Sequence, residues 1–230
     1  AAIGLVEKAL RADGRRSEYH NTLGEALTAS GRLEEAAASY RRAIDIDPGL
    51  DAAHSNLGNA LLALGNTNEA IASYRQALKL TPGLARTHYN LAKALSKQFR
   101  LAEAAECYRQ AIKHDPRLVD AYSNLGNILT QLGQDDEAIE HHNQARGIAP
   151  NSPSVHYNLG KTFQDLGRLD EAIASYRSAV AIDSGFTEAH YNLGNALEAQ
   201  GSKLEALESF QQAMKTRANF SEAAGTDIAP

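Results

Sequence analysis

The sequence contains no tryptophan, one cysteine, one methionine and six prolines in 230 residues. A lone Cys107 excludes an internal disulfide, and with it the bridged scaffold of small secreted domains. No apolar run approaches the roughly 20 residues that a membrane-spanning helix needs, and the N-terminus carries no signal-peptide pattern. With 23 basic and 28 acidic side chains the net charge is −5, so the basic excess that nucleic acid attracts is missing too. There is no phosphate-cradling glycine loop, metalloprotease helix, nucleophile elbow or dinucleotide fingerprint. These absences point away from an enzyme, a cofactor, a nucleic-acid partner and a membrane, and make a cytoplasmic protein the default. Alanine, leucine and glycine recur within a 43% hydrophobic composition, which suits closely packed helices.

The abundant residues are placed with a period of 34, the signature to seek before any local pattern. Cutting the chain at Ser17, Asp51, Ala85, Val119, Pro153 and Thr187 gives six units that cover 204 of the 230 residues. The seventh position is Leu23, Leu57, Leu91, Leu125, Leu159 and Leu193, and the eighth is Gly24, Gly58, Ala92, Gly126, Gly160 and Gly194. The twentieth and twenty-seventh positions are alanine in every unit, from Ala36 and Ala43 to Ala206 and Ala213. An aromatic stands at the twenty-fourth in five units (Tyr40, Tyr74, Tyr108, Tyr176, Phe210), with His142 in the other.

Positions seven, eight and eleven share one face of a helix, and positions twenty, twenty-four, twenty-seven and twenty-eight share a face of a second. Gly31, Gly65, Gly133, Gly167 and Gly201 mark the joins, where a left-handed residue ends the first helix. Pro48, Pro82, Pro116 and Pro150 stop the second helix in four units. Small residues let the helix backbones approach, Leu and Tyr fill the space beside them, and stacked neighbours share one continuous core.

This pattern resembles the tetratricopeptide repeat (TPR), and the resemblance extends over residues 17–220. It implies an all-α, right-handed superhelical solenoid of about thirteen helices in a single elongated domain, residues 1–220. The repeats are 17–50, 51–84, 85–118, 119–152, 153–186 and 187–220. Residues 1–16 form a half repeat, with Ala2, Val6, Ala9 and Leu10 at second-helix positions. Residues 221–230 are a tail or the start of a further repeat. The unpartnered half repeat leads us to expect one part of a longer protein.

The resemblance also implies that first helices line the concave side. There the sixth position is Asn56, Asn90, Asn124, Asn158 and Asn192, with Thr22 in the first unit. Asparagine is a poor helix former, but its amide both donates and accepts, as pairing with a peptide backbone requires. Packed helices lie roughly 8–10 Å apart and an extended chain advances about 3.3 Å per residue, so one amide would meet about every third ligand residue. The expected partner is therefore a protein or peptide segment in extended conformation, over ten residues long on the same estimate. The competing reading is an amide that bonds only its neighbours or water. Other candidate groove contacts are Asn59, Lys93, Asp120, Asn127, Lys161, Glu188 and Asn195.

Among TPR arrays the chain looks most similar to the superhelical domain of the O-GlcNAc transferase family and its bacterial relatives. The runs Val119-Asp120-Ala121-Tyr122-Ser123-Asn124-Leu125-Gly126-Asn127 and Ala189-His190-Tyr191-Asn192-Leu193-Gly194-Asn195 carry that likeness. It implies an asparagine ladder on the substrate backbone, and acidic residues at the second position on substrate side chains. Asp120, Glu18 and Glu188 fit the acidic position, whereas Ala52, Arg86 and Ser154 depart from it. A glycosyltransferase whose catalytic domain lies outside the chain is thus the alternative function, and homotypic assembly into a homo-oligomer is the third. A clamp for chaperone C-termini is rejected. It needs Lys at the fifth position, which instead reads Asn21, Ser55, Tyr89, Ser123, Tyr157 and Tyr191.

Histidine recurs at the fourth position as His20, His54, His88, His156 and His190. Metal ligands must converge within about 2 Å of one ion, which residues a whole unit apart cannot do, so packing is expected and no metal. His141, His142 and Glu137 read as a solvated face with one substituted aromatic. Cys107, with no basic cluster to activate it, reads as a packing residue. Tyr89, Tyr157 and Tyr191 either flank a bound peptide or pack between first helices.

Overall fold

Apolar residues three and four apart close each unit into two short helices, and a computed structural model of the chain has thirteen among its described residues. The backbone is described for residues 2–225, and side chains for 3–217 apart from 7, 9, 11 and 12. First helices are α2 (Ser17–Ala29), α4 (Asp51–Ala63), α6 (Ala85–Lys97), α8 (Val119–Gln131), α10 (Pro153–Asp165) and α12 (Thr187–Gln200). Second helices are α1 (Ala2–Ala12), α3 (Leu33–Ile46), α5 (Thr67–Leu80), α7 (Leu101–His114), α9 (Asp135–Ile148), α11 (Leu169–Ile182) and α13 (Lys203–Gly225). From α1 to α7, and again from α8 to α13, each helix packs on the next in sequence, the arrangement of a TPR solenoid. Two compact units result, residues 1–121 and 122–230.

In the first unit Leu27, Tyr40, Leu57, Leu61, Ile71, Tyr74, Leu91 and Leu95 share one core, and Ile3 of α1 packs against it. Val6 and Leu10 are half-buried, while the side chains of Ala2 and Ala9 lie outside the described residues. In the second unit Leu159, Phe163, Ile173, Tyr176, Leu193 and Leu197 play the same part. The alanines at position twenty-seven are completely buried from Ala43 to Ala179. The eighth position is small for a measurable reason. A Cβ on Gly58 would stand 2.5 Å from the Tyr74 ring, and one on Gly126 the same distance from His142.

The joins repeat one hydrogen bond. The position-sixteen N–H donates to the position-eleven carbonyl in every unit, from Arg32 to Leu27 through Ser202 to Leu197. This closes the helix end through a left-handed residue, which is glycine in five units, with φ between 71° and 94°. In the third unit it is Phe99, with φ 57° and 84% exposed. A side chain in this region costs roughly 1–2 kcal/mol, and the exposed ring recovers little of it. Phe99→Gly is therefore expected to stabilise the protein by roughly 1 kcal/mol, after the entropy that glycine adds to the unfolded chain. A urea midpoint that falls instead would show that the ring makes contacts worth more than the strain.

Second helices end ahead of Pro48, Pro82, Pro116 and Pro150, and α11 ends equally well ahead of Ser184. There Asp183 accepts the Gly185 N–H at 2.9 Å, as Asp47 does from Gly49, so a side-chain turn does what proline does elsewhere. The sixth unit has Arg217 and Ala218 at these two positions, with neither device, and α13 runs on through Phe220 to Gly225. The expected tail thus begins as helix, and residues 226–230 lie outside the described residues.

Candidate functional site

Positions two, six, nine and thirteen of a first helix are four, three and four apart, so they form one stripe. Core residues at seven, eight and eleven turn that stripe away from the second helices. In the first unit the stripes are Glu18, Thr22, Glu25 and Ala29 on α2; Ala52, Asn56, Asn59 and Ala63 on α4; and Arg86, Asn90, Lys93 and Lys97 on α6. In the second unit they are Asn124, Asn127 and Gln131 on α8, whose second-position Asp120 falls in the first unit; Ser154, Asn158, Lys161 and Asp165 on α10; and Glu188, Asn192, Asn195 and Ala199 on α12.

All five sixth-position asparagines are half-buried. In the first unit the Asn56 amide donates to Asn21 Oδ1 at 3.1 Å and to Glu25 Oε1 at 3.2 Å, both on α2. The Asn90 amide donates to Asn59 Oδ1 of α4 at 2.8 Å. In the second unit the Asn192 amide donates to the Tyr157 hydroxyl of α10 at 3.0 Å. In all three the N–H side reaches back one repeat, and the carbonyl oxygen accepts no bond from the described residues. The amides do bond their neighbours, with half of their capacity. Asn59 Oδ1 also accepts the Tyr74 hydroxyl at 2.8 Å, which ties this stripe residue to the core.

Tyr157 lies 5.0 Å from the Phe186 ring and 5.8 Å from Tyr176, and Tyr89 meets Tyr108 edge-on at 5.7 Å. These tyrosines both pack and border the stripes. Tyr191 is 55% exposed. It lines an open cavity of ≈ 1020 Å³ in the second unit with Tyr157, Glu188, Asn192, Phe210 and Arg217.

The histidines have a role that sequence reasoning missed. Nε2 of His20, His54, His88, His156 and His190 donates to the carbonyl of Gly14, Pro48, Pro82, Pro150 and Ser184 respectively, at 2.8–3.2 Å. Each ring fastens its first helix to the preceding loop; the signal was a constant six-residue offset from the loop. No group of three potential metal ligands occurs among the described residues. His142 is completely buried and bonds Thr162 Oγ1 at 3.0 Å, so it is the substituted aromatic and takes that residue's place in the core. His141 lies 3.6 Å from Glu137 on the partly open side of α9. Burial pushes the Cys107 thiol up to about 11, which suits a packing residue. Among the described residues no helix is long and apolar enough to cross a membrane.

The family model described as the cilia and flagella-associated protein 70 C-terminal domain matches residues 2–228. Three solved TPR structures are similar throughout their own length. MamA is 25% identical, with TM-score 0.67, over 72% of this chain and 97% of its own. YrrB, described as a TPR protein with an unusual peptide-binding site, is 21% identical, with TM-score 0.69, over 80% and 95%. PilF of Pseudomonas aeruginosa is 20% identical, with TM-score 0.73, over 92% of this chain and all of its own. No curated protein matches the chain.

Proposed function

The chain belongs to the family of the cilia and flagella-associated protein 70 C-terminal domain, a TPR array, and from that premise we propose that it is a protein-interaction scaffold holding an extended peptide against its first-helix stripes. The observation that carries this reading is the half-satisfied amide. Asn56, Asn90 and Asn192 are each held by a bond from their N–H side, which fixes the rotamer and leaves Oδ1 to accept a peptide N–H. A side chain ordered in advance loses less entropy when a ligand arrives. The backward reach of the N–H side recurs in separate repeats, to position five from Asn56 and Asn192 and to position nine from Asn90, which suits recognition of a periodic backbone. The peptide-binding site of YrrB and the open cavity beside Asn192 lend further support. Recruitment of substrate for a glycosyltransferase is the second reading, favoured by Glu18, Asp120 and Glu188 at the second position.

The test uses dodecapeptides selected from a random displayed library on the full chain. Asn56→Ala with Asn90→Ala in the first unit, or Asn158→Ala with Asn192→Ala in the second, should weaken binding of the peptides held by that unit about 30-fold, at about 1 kcal/mol for each lost hydrogen bond. Helicity by circular dichroism should be kept. Unchanged affinity would sink the proposal.

A further inference from the structure

We infer that the first unit selects a segment with ordered charge: an acidic side chain opposite α6 and a basic one opposite α2. This rests on the peptide-binding reading and adds the class of ligand. The three complete stripes of the unit differ in sign, with Glu18 and Glu25 on α2, only neutral residues on α4, and Arg86, Lys93 and Lys97 on α6. They are adjacent, because Asn56 bonds across to α2 and Asn90 across to α4.

Several cations nearby are paired, though Arg42 and Lys79 have no ion pair among the described residues. On and beside the second helices, Arg41 pairs with Glu69 at 2.9 Å and Arg75 with Glu103 at 3.0 Å, while Arg32 and Arg100 pair with the acid three residues on. Arg86, Lys93 and Lys97 are exposed and have no ion pair among the described residues. Lys93 is nevertheless held, its ammonium 5.5 Å from the centre of the Tyr89 ring, which is braced in turn by Tyr108. Three unpaired like charges on one stripe raise a positive potential that an opposing carboxylate relieves. The Glu18 and Glu25 carboxylates likewise make no ion pair among the described residues, although the charge of Arg16 acts on Glu18, and Glu25 is held by the Asn21 and Asn56 amides. A uniform polyanion would be repelled at α2 and a uniform polycation at α6, so a charged ligand crossing all three stripes is favoured when it changes sign. Two helix spacings of roughly 8–10 Å, divided by about 3.3 Å per residue, place the two charges roughly five to six residues apart.

The dodecapeptides of the preceding test decide this. Sequences enriched on the full chain should carry Asp or Glu and Lys or Arg at that separation. The combined variant Arg86→Glu, Lys93→Glu and Lys97→Glu should weaken them at least about tenfold at low salt, and near 0.5 M salt the difference should shrink. Peptides without charge order, weakened by the asparagine substitutions but not by charge reversal, would overturn the inference and leave the binding face standing. A library that yields no binder, or binders that neither variant affects, would overturn both.

Discussion

Tyr74→Ala is expected to destabilise the protein by about 3–5 kcal/mol, the usual cost of emptying a fully buried aromatic site. Tyr74 is completely buried, and its ring occupies the space that a Cβ on Gly58 would need. Its hydroxyl donates to Asn59 Oδ1, which also accepts the Asn90 amide, so one side chain joins the α4–α5 hairpin to the stripe of α6. Tyr74→Phe removes only the hydroxyl and should cost about 1 kcal/mol. Gly58→Ala looks severe at 2.5 Å from the ring, but the third unit holds Ala92 and Tyr108 in the same relation, both buried. The ring can therefore shift, and alanine's gain of about 1 kcal/mol over glycine in a helix offsets the strain. The expected order of urea midpoints places Gly58→Ala close to the parent, Tyr74→Phe below it and Tyr74→Ala far below. Because neighbouring repeats share stability, hydrogen exchange should show α4 and α5 opening first. A loss under about 1 kcal/mol for Tyr74→Ala would refute this account of the core.

The fold was legible because the residues that make it repeat. Leu at seven, a small residue at eight and Ala at twenty and twenty-seven each answer one contact, and six copies separate them from chance. Position fifteen also reads directly as the left-handed join, and Phe99 shows that the geometry holds even where the residue opposes it. The site was legible only in outline. Asparagine at position six announces an amide on the stripe but not which half of it is spent. That depends on partners 31 to 35 residues away, such as Asn59 for Asn90 and Tyr157 for Asn192. The run-on of α13 follows from the loss of both proline and the aspartate turn, a pair of substitutions whose joint effect no single position displays.

Acidification from pH 7 to pH 5 should cost the protein about 2 kcal/mol through His142 alone, and His142→Phe should remove that cost. His142 stands where the other units have tyrosine or phenylalanine. Its ring lies against Gly126, Nε2 meets Thr162, and Nδ1 is buried without a partner. Burial, and secondarily the charge of His141, lower its pKa to about 4. The folded value thus lies below the unfolded value of about 6.5. The unfolded chain takes up the proton first, so stability is complete above about pH 6.5 and declines as pH falls toward 4. His88, its pKa also lowered chiefly by burial, acts in the same sense and leaves a residual slope. Glu35, Glu103 and Glu171, held below their ordinary range by Arg32, Arg100 and Arg168, lose their contribution only at more acid pH, which leaves the interval from 7 to 5 to the histidines. At neutral pH the phenylalanine variant should be close to the parent, since Phe210 already packs on Gly194 in the same way and Thr162 keeps Thr130 as a neighbour. Urea midpoints of parent and variant at the two pH values give the result. An equal loss in both would show that the buried imidazole does not set the acid response.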